Sequence, residues 1–407
     1  MSASPMQPTQ ASDRIAYLDI LRGFAVMAIF IVNIKAMMMP FPYYMNPSLW
    51  SGAADEWIAI AQKFLVDDKW RTIFTALYGA GLMMIWQRLS ARDSSTAVLW
   101  YRTLWLMVFG ALHLFGLWIG DILFIYGTTG LLAIFFVKRT LRTQVITGIA
   151  ILAIGTVWLA FFSAGPVFDE TLRAELKPMF WAPTAGQIAD QVAMANGPFG
   201  AQVITRLGEG VEFILFYFLL GGMLPISLGL MILGMALYRS GLLRGEWPLR
   251  RTLLLACVCL GAAWTIDAIQ AIEVAKSGYD FDVNSLNQWL ASIDGYLGAF
   301  GYCCLVSVLV GAGVRFGAVA AVGRMAFSNY IACTLIGTTL AIGQGGGLFG
   351  QVSLAFLMLV VGLTFTAMLI WSPLWLKHFR YGPLEWLWRS LVYRSRQPMR
   401  RAVTSAN

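Results

Sequence analysis

The chain has 407 residues, of which 58% are hydrophobic and 12% charged, with 29 basic against 21 acidic side chains. Soluble proteins carry roughly 25% charge, so a chain this long cannot cover a water-facing surface with so few. Sixteen Trp and 26 Phe suit lipid interfaces, and the composition excludes a soluble single domain, a disordered chain and a disulfide-rich module.

A polytopic membrane protein remains, all-α, built as a transmembrane helical bundle. The first 16 residues are polar and read as a cytoplasmic N-terminus. The apolar run that follows carries Asp19 and Arg22, so it is not the core of a cleavable signal peptide. A span needs about 20 mainly apolar residues. Ten segments meet or nearly meet this: 17–38, 70–87, 100–118, 121–137, 144–163, 211–238, 252–272, 289–310, 318–342 and 351–375. The second and fourth are short. Trp57 to Val66 is too short to span and reads as an interfacial helix. The stretch at about 164–210, rich in Pro, Gly and acids, reads as a short helical cap on the outer side of a membrane domain covering 17–375. Residues 376–407 form a basic interfacial helix and tail.

With the N-terminus inside, every inner loop is basic, from Arg14 through Arg88, Arg92 and Arg102, then Lys138, Arg139 and Arg142, to Arg400 and Arg401. Both termini then face the cytoplasm, as the positive-inside rule requires. The net charge of +8 is spread over these loops, which speaks against nucleic acid as a partner and for anionic lipid head groups. The five Cys lie within spans and lack metal-ligand spacing, so neither a structural disulfide nor a bound metal is expected.

Ionisable groups inside a span are costly and point to function. At 100° per residue, Asp19, Arg22 and Asn33 fall within a 60° arc of the first span, Asn33 about 16 Å further along. Asp19 and Arg22 make an i, i+3 pair; a purely structural pair is the alternative reading. Arg102 and His113 repeat the eleven-residue spacing in the third span. Gly110 and Gly116 allow a close approach beside His113, a candidate general base or an interhelical hydrogen-bond partner. Asp121, Glu209, Glu212 and Asp294 sit near helix N-termini, where the dipole stabilises a carboxylate. Asp267 has no such explanation and is a candidate to orient His113 or to bind a proton or cation. Arg324 opens the polar run Gly-Arg-Met-Ala-Phe-Ser-Asn-Tyr. Within Tyr381-Gly-Pro-Leu-Glu-Trp-Leu-Trp-Arg389, Glu385 can pair Arg389 at i, i+4.

These motifs, in this order, resemble the bacterial YeiB-like family, domain of unknown function 418. The matching segments are Arg14-Ile-Ala-Tyr-Leu-Asp-Ile-Leu-Arg-Gly-Phe-Ala with Asn33, Arg71 to Gly81, Arg102 with His113, Gly120-Asp-Ile-Leu and Tyr126, Gly323 to Tyr330, and Gly382 to Arg389. The opening motif is similar to that of heparan-α-glucosaminide N-acetyltransferases and, more remotely, of acyltransferase-3 membrane proteins. That resemblance implies transfer of an acyl group from a cytoplasmic acyl-CoA, through the membrane, to an acceptor outside. The glucosaminide enzymes carry a catalytic His soon after the Asn matched by Asn33. Lys35 to Trp50 contains none, which leaves His113 for the role.

The leading expectation is therefore acyl transfer in a bacterial cytoplasmic membrane. Arg22, Arg102 and Arg324, with Asp19, hold the donor; His113 is the base, Asn33 binds the acyl carbonyl and Asp267 orients the histidine. Expected partners are membrane lipids and a small-molecule or lipid-linked substrate, and a homo-oligomer is compatible with the sequence. A transporter or flippase would use the same residues without covalent chemistry, and breaks near Gly221 to Pro225 and in the run Gly343 to Gly347 would suit it. A scaffold or lipid-binding factor is the third reading.

Overall fold

A computed structural model describes residues 16–401. The segment before Ala16, with Arg14, and the tail beyond Arg401 lie outside the described residues. In chain order the helices are α1 (Ala16–Met38), α2 (Pro42–Met45), α3 (Ala53–Leu65), α4 (Lys69–Ala91), α5 (Ala97–Gly116) and α6 (Leu123–Ala133). There follow α7 (Leu141–Phe168), α8 (Glu170–Phe180), α9 (Ala185–Asn196), α10 (Phe199–Glu212), α11 (Met223–Arg239) and α12 (Leu249–Lys276). The last are α13 (Phe281–Gly311), α14 (Gly317–Arg324), α15 (Ala326–Ala341), α16 (Leu354–His378) and α17 (Pro383–Val392). The described residues contain no strand beyond one bridge between Phe379 and Arg400.

Six helices, α1, α5, α7, α12, α13 and α16, are long and apolar enough to cross a membrane. Two further pairs qualify together but are bent. Residues 199–220, whose end Phe213–Leu220 is π-helical, meet α11 at 63°, and α14 meets α15 at 82°. Counting each pair once gives up to eight. The other two expected spans are helical too, but α4 is charged at both ends and α6 is short.

The first bend falls at Gly221 and Gly222, as the sequence suggests. Gly222 has φ +80°, a left-handed conformation that continues no helix. The second bend does not fall at Gly343 to Gly347, which form a turn after α15. It falls at Met325, in the middle of the polar motif.

Glycines set how closely the helices cross. A methyl group on Gly23 would lie 2.1 Å from the Val319 carbonyl oxygen, and one on Gly323 would lie 1.8 Å from that of Asp19. α1 and α14 therefore touch backbone to backbone. Gly79 and Gly234 do the same for α4 against α11, and Gly110 and Gly127 for α5 against α6. Without a hydrophobic drive between helices in lipid, such contacts supply the packing. The outward faces of α7, α12 and α16 stay apolar, with Phe161, Leu254 and Leu363 exposed.

Between the first and second long helices lies amphipathic α3. It exposes Trp57 and Ile60 and buries Asp55, whose carboxylate accepts from the amides of Leu354 (3.1 Å) and Ala355 (2.9 Å) at the start of α16. α8 and α9 occupy the stretch read as an outer cap, and Thr184 with Gln187 forms a capping box on α9. The five cysteines are free thiols.

Candidate functional site

The bundle has an arginine end, where α1 begins, and a far end opposite it. The α1–α14 crossing at Gly23 and Gly323 brings two sequence-distant arginines, Arg22 and Arg324, to one place. They line a cavity of about 230 Å³ together with Arg88, Arg102 and Arg389. Asp19 and Glu385 also line it. Four residues singled out in the sequence, Asp19, Arg22, Arg102 and Arg324, thus share one wall-to-wall space. Arg22 Nη1 is 3.0 Å from Asp19 Oδ1, the i, i+3 pair.

Each residue of the polar motif has a place. Gly323 allows the crossing, and Arg324 enters the cavity. The break at Met325 exposes the first amides of α15, and Glu385 on α17 answers them: its carboxylate accepts from the N–H groups of Phe327 (2.7 Å) and Ser328 (3.1 Å) and from the Ser328 hydroxyl. Glu385 therefore caps α15 across 57 residues of chain. Asn329 ties the bend to α16, donating to the Val322 carbonyl and Ser372 Oγ (both 3.1 Å) and accepting from Trp371 (2.9 Å). Trp388 closes the same wall, its indole N–H bonded to the Arg102 carbonyl while the Arg102 guanidinium lies 3.8 Å from its ring centre.

Toward the far end the cavity stops at Phe74, Leu123, Tyr126 and Tyr330. Behind Tyr330 stands His113, the two ring centres 5.2 Å apart. His113 Nδ1 is 2.7 Å from Asp121 Oδ1, and Nε2 is 3.0 Å from Thr334 Oγ1. All three side chains are buried. With Asp121 as the acceptor, Nδ1 carries the proton and Nε2 is free to take one from Thr334. Asp121 also accepts from the Phe124 amide, the helix-start role its position suggests. The partner that orients His113 is thus Asp121, not Asp267.

Asp267 lies elsewhere at the far end, fully buried on α12. Lys69 Nζ is 3.0 Å from its Oδ2, outside hydrogen-bond angles, and Lys63 Nζ is 3.6 Å from its Oδ1. Lys63 also reaches Asp294 at 3.5 Å, and Gln270 donates to that carboxylate. Two lysines and two aspartates thus neutralise one another between α3, α4, α12 and α13. Asp294, at a mid-helix position of α13, belongs to this network rather than to a helix start. Arg71 pairs with Asp68 at 2.7 Å. Asn33 is half-buried on α1 and does not line the cavity.

Sequence reasoning missed Arg88, Arg389, Tyr330 and Thr334. In sequence the two arginines look like loop and interface charges, and Thr334 and Tyr330 carry no charge at all. A larger groove, about 770 Å³, opens between α5 and α17. Its walls are mainly apolar, and the arginines make the smaller cavity the chemical one.

The composition, the apolar helices and the buried charge define a membrane-helix protein with an arginine-lined cavity at one end. Residues 237–395 match a family described as a protein of unknown function, DUF418. The chain is 32% identical over 399 residues to the uncharacterized protein YeiB of Escherichia coli strain K12, covering 95% of this chain and 98% of that one. It is 28% identical to the uncharacterized protein YxaH of Bacillus subtilis strain 168, covering 97% and 98% of the two chains. An uncharacterized 39.9 kDa protein from the amylase 3′ region of Bacillus acidopullulyticus is 25% identical, over 97% of this chain and 98% of its own. The chain belongs to the YeiB-like DUF418 family.

Proposed function

We propose that this protein spans a bacterial cytoplasmic membrane ten times, with its arginine end in the cytoplasm, and transfers an acyl group from cytoplasmic acyl-CoA to an acceptor at or beyond the outer face. α4 and α6 complete the ten spans, and the basic loops set the orientation. The observation that carries the reading is the convergence of Arg22, Arg88, Arg102, Arg324 and Arg389 on one cavity. Guanidinium groups bind phosphate oxygens in pairs, and a cluster of them inside a helical bundle suits a polyphosphorylated donor. The cavity is too small for a whole coenzyme, so the nucleotide end stays at the mouth.

Depth supports the same donor. Arg102 and His113 lie on one helix, 11 residues and about 16 Å apart. The pantetheine arm of CoA is an extended chain of comparable length. With its phosphates among the arginines, its thioester reaches the level of Tyr330 and His113. His113, held by Asp121, then serves as general base. Asn33 lies at the same depth on α1 but outside the cavity lining, so an acyl carbonyl would meet it only beyond that lining. The acceptor, a small molecule or lipid-linked hydroxyl or amine, approaches from the far side, and membrane lipids surround the bundle.

One observation favours a second reading, a transporter or flippase: the two spans bent at Gly222 and Met325. A doubly labelled donor separates the two. Vesicles with the arginine end outward receive acetyl-CoA carrying one label in the acetyl group and another in the adenine. Transfer moves the acetyl label alone to the lumen, whereas transport moves both labels or neither.

A further inference from the structure

Outside the arginine cavity, the feature with the most developed chemistry is the chain Asp121–His113–Thr334. Its distances, 2.7 Å and 3.0 Å, match the carboxylate–imidazole–hydroxyl order that activates a nucleophile in hydrolases of unrelated folds. We propose that Thr334 is the nucleophile of a two-step transfer and carries the acyl group as an ester. This inference rests on the acyl-CoA reading above and names the residue through which the group passes.

Placement along α15 supports it. Phe327, Tyr330 and Thr334 fall within a 60° arc at 100° per residue. The first two line the cavity, so Thr334 is the next residue on the face that the cavity follows. Tyr330 stands between. The residue is 3% exposed, and its hydroxyl has no hydrogen-bond partner among the described residues. The backbone of Ile122 is close without making a bond of good geometry. A buried hydroxyl without a partner is costly. An acyl carbonyl arriving at the cavity's end would supply one, and the same hydroxyl would then stabilise the oxyanion.

In the first step Thr334 Oγ attacks the thioester carbonyl; the C–O bond forms and the C–S bond breaks. The hydroxyl proton goes to His113 Nε2 and on to the departing sulfur, which leaves as CoA thiol. In the second step the acceptor hydroxyl or amine attacks the ester carbonyl. Its proton goes to His113 Nε2 and then to Thr334 Oγ, which is regenerated. Asp121 remains a carboxylate throughout, accepting the Nδ1 proton in its hydrogen bond. Splitting the reaction lets the donor leave on one side before the acceptor binds from the other.

The test uses the full-length purified protein and acetyl-CoA without acceptor, quenched in acid and examined by peptide mass spectrometry. One acetyl group is expected on the peptide containing Thr334, with an equal burst of free thiol. Thr334→Ser keeps the adduct. Thr334→Val, of the same shape, loses it while binding acetyl-CoA within twofold of the parent. His113→Gln slows adduct formation by about 100-fold or more. If Thr334→Val releases thiol or transfers acetyl as fast as the parent, or the acetyl sits on another residue, the inference fails and the acyl-transfer reading stands. If neither protein binds acetyl-CoA, both fail.

Discussion

The backbone of Gly323 lies so close to the carbonyl oxygen of Asp19 that a methyl group would stand 1.8 Å from it. This contact fixes how Arg22 and Arg324 meet. Gly323→Ala forces α14 away from α1 and costs about 3 kcal/mol or more, at the upper end of overpacking. Gly261→Ala, in α12 with no atom within 4 Å of the new methyl, is the control and gains about 0.5–1 kcal/mol from helix propensity. Thermal unfolding in detergent checks both, and equal effects at the two sites would remove the crossing from the account.

Glu385 holds the start of α15 through three hydrogen bonds. Glu385→Ala leaves buried donors without a partner and costs about 2 kcal/mol. Glu385→Gln, which retains an acceptor, costs roughly half of that. Gly382→Ala brings its methyl 2.2 Å from the Glu385 carboxylate, so its melting temperature falls in the same direction. A melting point unchanged by Glu385→Ala would show that α17 does not cap α15.

Asp68 precedes α4 with φ +57° and faces Arg71. Burial pushes its carboxyl up; the Arg71 guanidinium, joined by Lys63 and Lys69, more than offsets this and holds the carboxyl below its usual range. The folded value is therefore the lower one. The pair stabilises the fold above the usual carboxylate range, and this contribution is lost as pH falls through the folded value. The side chain is 35% exposed, so solvent screening keeps the effect modest. Asn also adopts the left-handed conformation. Asp68→Asn should therefore flatten the acid limb of the melting curve without backbone strain, and an unchanged acid limb would contradict the pairing.

Asp267 and Lys69 are both fully buried. Asp267→Asn leaves Lys69 with less compensation and costs about 3 kcal/mol. Replacing both, Asp267→Leu with Lys69→Met, restores most of that. Were the single and double variants equally unstable, the two groups would not be neutralising each other.

The bundle and half the cavity were legible because lipid penalises charge: Asp19, Arg22, Arg102 and Arg324 stand out in apolar sequence, and they meet. The partner of His113 was hidden by topology. Asp121 is only eight residues on, but across the α5–α6 turn, whereas Asp267 looked freer because its lysines come from α3 and α4. Thr334 gave no signal, since a threonine can satisfy its hydroxyl on its own helix. The bend at Met325 lacks Pro and positive-φ Gly, and only the capping by Glu385 from a distant helix makes sense of it.

The central claim is that the arginine cavity binds a phosphate-bearing acyl donor. Its most direct measurement is equilibrium binding of labelled acetyl-CoA to the purified protein, with Arg22→Gln and Lys377→Gln, a basic residue outside the cavity, compared. The account predicts saturable binding that Arg22→Gln weakens tenfold or more, the loss of about 1.4 kcal/mol expected for one charge-assisted contact, and that Lys377→Gln leaves alone. Binding absent from the parent, or equal in all three proteins, would contradict it.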